Sequence, residues 1–372
     1  MDRYNRHIIL SKIGQAGQDK LSKAKVLVVG AGGLGCPILQ YIAAAGVGTL
    51  GIIDFDVVEK SNLQRQILFG TSSLGQNKAL AAKKRLEDLN NEIKINAYSE
   101  PLTYQNAIDL FEEYDVIVDG TDNFETRYLI NDACIIINKP SVFGAIYKFE
   151  GQVSVFNYQN GPSYRCLFPN PPKKDAVPNC SDIGVLGVLP GIIGNMQANE
   201  VLKIILGIGQ VLSGKLLFYN ALTSQTSFLK INKIEDNFHK VLKETHVFNK
   251  KQLQINCDVA PTEISIKDIL LRKNIQFVDV RESHELPKVE DLKVTNIPLC
   301  ELEKHLDKIN PDKEKAIFCQ SGIRSKETVS VLKKHNINNC YSIKEGASEI
   351  IQFIKERKKL LSNVKQKTKK RI

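Results

Sequence analysis

No apolar run of eighteen residues occurs in the sequence, which excludes a membrane-spanning helix of ordinary length. Met1 is followed by Asp2 and Arg3 with no apolar signal core, so the expected location is cytoplasmic. The eight cysteines, at 36, 134, 166, 180, 257, 300, 319 and 340, show no paired spacing. Over 372 residues that argues for a reducing compartment and against a disulfide framework. Internal repeats are absent. Excess charge is scarce away from one end. The formal net charge is +10, but nine Lys/Arg and one Glu between Lys355 and Ile372 supply +8 of it. The body is therefore not a basic nucleic-acid binder, and neither DNA nor a membrane is an expected partner. The basic tail, 357–372, reads as solvated and disordered. Contact with RNA, a membrane surface or an acidic partner is its other reading.

What the sequence does hold is apolar content of 42%, enough for full cores in two or three domains. Its organising stretch is Lys25-Val-Leu-Val-Val-Gly-Ala-Gly-Gly-Leu-Gly35. Val26 to Val29 is the β-branched run of a strand buried on both faces. Gly30, Gly32, Gly33 and Gly35 let the backbone turn sharply and approach a phosphate. A helix follows from Leu34, with its N-terminus toward that phosphate. The next apolar strand, Leu50 to Ile53, ends in Asp54, 24 residues after Gly30, where a ribose-binding acid belongs. The pattern specifies a nucleotide without saying which. A glycine-rich turn with no ligand is the plainer alternative.

Further strands are expected at Ile93–Tyr98, at Asp115–Asp119 before Gly120-Thr-Asp-Asn123, and at Gln152–Phe156, Leu216–Tyr219 and Thr226–Ile231. Helices are expected after Gly75-Gln-Asn-Lys-Ala79 and over Ala107–Phe111. This alternation predicts an α/β fold with a doubly wound, mostly parallel sheet. Gly187 to Gly207 is nearly all apolar, but its polar residues and Gly/Pro breaks favour a buried helix, with a dimer interface as one use. Residues 232–261 read as a linker between a first domain, 1–231, and a second, smaller α/β domain, 262–356.

The first domain resembles the ThiF/MoeB/HesA family of ubiquitin-activating-like adenylyltransferases, whose sheet is Rossmann-like. The resemblance rests on Arg3-Tyr-Asn-Arg-His7, the glycine turn, Asp54-Phe-Asp56, Asn62-Leu-Gln-Arg-Gln66, Lys78, Gly120-Thr-Asp-Asn123, Arg165-Cys-Leu-Phe-Pro169, Cys180 and Gly184-Val-Leu-Gly187. It implies that the nucleotide is ATP, and that AMP is joined to the C-terminal glycine of a ubiquitin-like sulfur-carrier protein. Adenylation builds charge on phosphate oxygens, so cations must be fixed there in advance. Arg65 and Lys78 take that role under the resemblance, and Arg6 matches an arginine reaching in from the partner of a homodimer. Asp122 would hold Mg²⁺ with ATP. Asp54 would take the ribose, and Asn62 and Gln66 would orient the phosphates. Cys180 matches a cysteine that some relatives link to the activated carrier and others dispense with, so a catalytic and a passive thiol both stand. Many relatives hold structural zinc with two cysteine pairs. Here Ser163 replaces the first cysteine of one pair and 232–256 contains none for the other, so no zinc is expected.

The second domain resembles a rhodanese domain through Asp279-Val-Arg-Glu282, Asn296-Ile-Pro-Leu299 and the loop Cys319, Gln320, Ser321, Gly322, Ile323, Arg324 and Ser325. A loop of this kind aims N–H groups inward as an anion nest, and the helix N-terminus and Arg324 favour a thiolate or persulfide on Cys319. Lys344-Glu-Gly-Ala347 departs from the adjacent glycines usual there. Together the resemblances imply adenylation of a carrier with sulfur supplied through Cys319, the donor being thiosulfate or a cysteine desulfurase persulfide. Molybdopterin, thiamin and tRNA-thiolation carriers all remain open. A dinucleotide-dependent oxidoreductase leaves Arg65, Lys78, Asp122 and Cys319 without roles, and a non-catalytic scaffold makes both nucleophile loops relics.

Overall fold

Val26 to Val29 are buried from both sides at the middle of an eight-stranded sheet. The computed structural model describes residues 3–172, 184–251, 263–272, 274–320, 322–335 and 337–357. The chain divides into two compact units, Met1–Gln254 and Ile255–Ile372.

In the first unit the strands are β1 (Lys25–Val29), β2 (Thr49–Ile53), β3 (Lys94–Tyr98), β4 (Val116–Asp119), β5 (Ser141–Tyr147), β6 (Glu150–Phe156), β7 (Lys215–Asn220) and β8 (Gln225–Lys230). Their order is β3-β2-β1-β4-β5-β6-β7-β8. The five from β3 to β5 pair in parallel, and β5 to β8 pair antiparallel. Side chains alternate across a strand. Val26 and Val28 therefore join Ile38, Leu39, Ile42, Leu86, Leu189 and Ile193 on one face. Leu27 and Val29 join Phe111, Leu129, Ile130 and Ala133 on the other. Helices Gly35–Ala44, Lys78–Leu89 and Leu189–Leu206 supply the first layer, and Ala107–Glu112 and Phe124–Ile136 the second. The doubly wound sheet is as the sequence predicts. The apolar stretch 187–207 is a buried helix, packed on Gly35–Ala44, β5 and β6. Among the described residues no helix is long and apolar enough to cross a membrane.

The expected linker, 232–261, needs correction. Glu235–Lys243 and Thr245–Phe248 are helices of the first unit. Phe238 and Val241, one turn apart, bury against Ile135. Phe248 sits with Leu102, Phe111 and Tyr114, its ring 4.9 Å from that of Tyr104. Asn237 Nδ2 donates to the Arg165 carbonyl at 2.8 Å. A few apolar anchors at helical spacing are enough to dock a short, highly charged helix. Residues 252–262 lie outside the described ones.

The second unit is a five-stranded parallel sheet. Its strands are β9 (Glu263–Ile264), β10 (Ile275–Asp279), β11 (Val294–Asn296), β12 (Glu314–Phe318) and β13 (Cys340–Ile343), in the order β11-β10-β12-β13-β9. Phe277, Ala316, Phe318, Ile343 and Ile350 fill one face. Val278, Val280, Ile317 and Leu332 fill the other. Leu299–Lys308 is a 3-10 segment, interrupted at His305. The tail beyond 357 lies outside the described residues.

If Phe238 docks its helix as described, Phe238→Ala leaves an apolar void and costs the first unit about 3 kcal/mol. Urea unfolding of the whole chain measures this. Stability unchanged within error would return 235–243 to the status of a tether.

Candidate functional site

The turn after β1 is shaped by backbone packed on backbone. Gly30 has φ +92°, and its N–H donates to the Ile53 carbonyl at 2.9 Å. A Cβ there would stand 2.9 Å from the Gly120 carbonyl oxygen, and a Cβ on Gly35 would overlap the carbonyl of Gly30. Gly33 faces Pro190, where a Cβ would sit at 3.1 Å. Gly32 is different. The nearest atom to a Cβ there is Gln66 Nε2 at 3.9 Å, so the loop leaves an open cradle on that side.

Asp54 directly follows β2 and braces the same turn. Its Oδ2 accepts from Ala31 N–H at 2.7 Å and its Oδ1 from Asp56 N–H at 2.9 Å. Burial pushes its carboxyl above the usual range, while Lys78 and these donors pull it back. Lys78 is buried at the start of helix Lys78–Leu89, with Nζ 2.9 Å from Asp56 Oδ2. Asn77 caps that helix through Leu80 N–H and ties it to the carbonyls of Asp54 and Asp56 at 2.9 and 3.2 Å. Asp56 thus holds the candidate lysine, a role the sequence reading did not assign.

On the 62–66 segment, Asn62 Oδ1 accepts from Glu59 N–H at 3.1 Å and shapes the turn. Arg65 donates to the Ser61 carbonyl at 3.1 Å, and its Cδ would lie 3.7 Å from a Cβ on Gly33. Gln66 is buried, and its Oε1 has no hydrogen-bond partner. A buried amide oxygen without a partner is costly and points to an absent donor.

Asp122 is exposed just beyond β4. The turn that carries it is held from below. Asp119, fully enclosed, accepts from the Thr121 hydroxyl at 2.6 Å and the Thr121 N–H at 2.9 Å. Arg127 donates to the Thr121 carbonyl at 3.0 Å, with the rings of Phe124 and Phe143 against its guanidinium. Burial pushes the Asp119 carboxyl up, and Arg127 opposes the shift. Gly120 packs on Gly30, so this turn adjoins the glycine cradle. The structure therefore gathers Gly30, Gly32, Gly33, Gly35, Asp54, Arg65, Gln66, Lys78 and the Asp122 turn at the C-terminal ends of the parallel strands.

Arg6 is not among them. Two residues before it, Tyr4 packs on Gly46 and accepts from Asn90 Nδ2 at 2.8 Å. Arg3 donates to the Leu89 carbonyl at 2.9 Å. These positions follow the C-termini of helices Gly35–Ala44 and Lys78–Leu89, whose N-termini form the site. Ten and twelve residues of helix are about 15 and 18 Å long at 1.5 Å per residue. Cys180 lies outside the described residues. Cys166 is engaged locally, its Sγ 3.4 Å from Ser163 Oγ and accepting from Ile234 N–H at 3.3 Å.

In the second unit Cys319 directly follows β12 and is buried. Gly322, at φ +83°, donates its N–H to the Cys319 Sγ at 3.1 Å. Ser325 Oγ lies 3.7 Å from the same sulfur and bonds Gly322 O and Ser342 Oγ at 3.0 and 2.8 Å. Helix Ile323–Lys334 starts within the loop. Gly346 abuts the Gln320 carbonyl so closely that no side chain fits there, and Ala347 N–H donates to Cys319 O at 3.1 Å. The departure at 344–347 keeps the one glycine the loop needs. Arg324 is not turned to the sulfur alone. Its two terminal nitrogens sit on Glu285 Oε1 and Oε2 at 2.5 and 2.9 Å, and the pair holds the Glu285 carboxyl down to about 2. Glu285 lies in a polar stretch with no motif to mark it, and the sequence reading missed it. Ser321 lies outside the described residues.

Comparison with known proteins agrees with this geometry. The ThiF family model matches residues 4–240. A sulfur carrier protein adenylyltransferase of Thermus thermophilus is 52% identical over 236 residues, covering 62% of this chain and 86% of that protein. The probable adenylyltransferase/sulfurtransferase MoeZ of Mycobacterium tuberculosis is 38% identical over 360 residues, covering 92% of this chain and 91% of its own. The crystal structure of E. coli MccB with ATP shares the fold, with a TM-score of 0.55 at 22% identity over 63% of this chain and 72% of that one. With a glycine cradle, an acid-braced turn and a family match over most of its length, the chain belongs to the ThiF family.

Proposed function

We propose that this ThiF-family chain adenylates the C-terminal glycine of a ubiquitin-like sulfur-carrier protein and supplies sulfur to it through Cys319. The observation that carries the first half is the open cradle at Gly32, beside Arg65 and the buried, partner-seeking Gln66. Among the relatives, the one similar across both units is named an adenylyltransferase/sulfurtransferase, and this supports joining the two chemistries.

In the first step a carboxylate oxygen of the carrier attacks the α-phosphorus of ATP, and the bond to pyrophosphate breaks. The glycine cradle and helix N-terminus face the phosphates with N–H groups. Arg65 and Lys78 meet the charge that builds on the non-bridging and leaving oxygens. Lys78 is held by Asp56, and Asp54, which braces Ala31, takes the ribose in this reading. The exposed carboxylate of Asp122 on a rigid turn suits Mg²⁺, which such sites bind through one or two carboxylates plus phosphates. Bound there, Mg²⁺ supplies neutralisation of phosphate charge. In the second step the outer sulfur of a Cys319 persulfide attacks the acyl carbon and AMP leaves. A further thiol then takes the Cys319 sulfur and frees the thiocarboxylate; Cys180 is the candidate. These steps are the same for a carrier of the molybdopterin, thiamin or tRNA-thiolation route.

The two halves should fail separately. Asp122→Ala abolishes carrier-dependent ATP–pyrophosphate exchange but leaves sulfur loading of Cys319 intact. Cys319→Ser keeps the exchange and stops sulfur transfer. Isotope exchange and intact mass read the two activities, and wild-type exchange in Asp122→Ala would sink the adenylation assignment.

Arg6 sits at the far end of its own helices, so we assign it to the site of the second subunit in a homodimer. Arg6→Ala and Lys78→Ala are each inactive alone. Unfolded together and refolded in equal amounts, they recover about a quarter of wild-type exchange, because half the dimers carry one complete site. No recovery on mixing would place Arg6 outside the reaction.

Ser163 Oγ and Ile234 N–H both meet the Cys166 sulfur, and one thiol is too few for a tetrahedral site built on cysteine pairs. Elemental analysis of the purified chain should find well under one zinc per chain; stoichiometric, chelator-resistant zinc would refute this.

A further inference from the structure

Two arginines touch the Cys319 loop, and each already has its own carboxylate. Arg281 donates to Gln320 Oε1 at 3.3 Å, but it is buried and fixed on Asp279, with Nη2 2.8 Å from Oδ2. Arg324, on the loop itself, is gripped by both oxygens of Glu285 at 2.5 and 2.9 Å. Glu285 is in turn positioned, its Oε1 accepting from Glu282 N–H at 2.8 Å. Lys344 turns its carbonyl toward Gly322, 4.0 Å from where a Cβ on that glycine would stand. The group that meets the sulfur directly is the Gly322 N–H at 3.1 Å. Among the described residues, the loop is therefore fitted to one negative charge on sulfur, without an unneutralised arginine for more.

Sulfur donors differ in the charge they bring. With thiosulfate, the Cys319 thiolate attacks the outer sulfur of a dianion, the S–S bond breaks, and sulfite leaves with the electron pair. Three negative charges meet at the loop. With a protonated persulfide, the thiolate attacks the terminal sulfur, the S–S bond breaks toward the donor, and the donor departs as a thiolate while the proton stays on the transferred sulfur. One negative charge is present throughout, and there is no net oxidation. Like charges a few ångströms apart repel strongly at a half-buried site.

We propose that Glu285 is a specificity-determining residue of the sulfurtransferase half: by neutralising Arg324 it turns the loop against dianionic donors and toward a thiol-bound persulfide. The inference rests on the reading of Cys319 as the sulfur-accepting nucleophile. It acts through Arg324, so Glu285 is a positioning residue rather than a catalytic one.

The test loads Cys319 of the whole chain with thiosulfate or with the persulfide of N-acetylcysteine amide, an otherwise uncharged donor. Intact mass follows the added sulfur. Glu285→Gln keeps size and an amide acceptor but frees the charge of Arg324. The ratio of thiosulfate to persulfide loading rates should rise about tenfold in this variant. A second measurement needs no substitution. Raising the ionic strength should speed thiosulfate loading of the wild type by screening repulsion, with a much smaller effect on the persulfide. An unchanged donor ratio in Glu285→Gln, or thiosulfate loading that slows with salt as for attraction to a free cation, overturns the proposal. If neither donor loads Cys319, the sulfur-transfer reading itself falls and takes this one with it.

Discussion

Three glycines meet without side chains between them where β1 and β4 end, and the first unit is arranged around that contact. Gly30, Gly35 and Gly120 approach so closely that a Cβ on any of them would meet main chain or crowd it. The contact draws helix Gly35–Ala44 down onto β1, so that Ile38, Leu39 and Ile42 reach the sheet face of Val26 and Val28. It also sets the helix N-terminus beside the Asp122 turn. Binding geometry and core packing are thus consequences of one close approach. Asp54 then locks the product, since its two oxygens hold Ala31 and Asp56 at once.

Much of this was legible in residue order, for physical reasons. A strand buried on both faces must be apolar at consecutive positions, and β1, β2 and β4 are. The glycine turn was visible because few other residues tolerate that backbone. Where the reading failed, the signal was carried by partners far apart in sequence. Helix Glu235–Lys243 carries four charged residues among nine, and its anchors Phe238 and Val241 make sense only against Ile135, about a hundred residues earlier. Strand β5 escaped notice because its pattern, Ser141 to Tyr147, includes Gly144, into whose space Gln197 reaches from helix Leu189–Leu206. The candidate site shows the same divide. Lys78 could be singled out, but not that Asp56 would hold it. Arg324 could be read as a free cation, because nothing local announces Glu285 across 39 positions.

The two units manage anions in opposite ways, and the difference follows from the charges each must face. Around the glycine cradle, Arg65 is engaged by a carbonyl, and Lys78 by a carboxylate whose side chain is half exposed. A neutral carbonyl leaves the guanidinium charge in place, and an exposed carboxylate is screened by water. Both cations therefore retain attraction for an anion that brings several charges together, as the polyphosphate of the proposed adenylation does. Around Cys319 the arginines are matched one to one by Asp279 and Glu285, and the Gly322 backbone N–H meets the sulfur. Dipoles of this kind stabilise a single anion at short range but add little long-range pull. In the proposed sulfur transfer, a free arginine there would hold the persulfide anion and lower its nucleophilicity toward the acyl carbon. Neutralised arginines keep the loop rigid through their hydrogen bonds while leaving the sulfur reactive. The same residue type thus keeps its charge in one unit and is a matched structural brace in the other, and what separates the two is the carboxylate that each arginine does or does not meet.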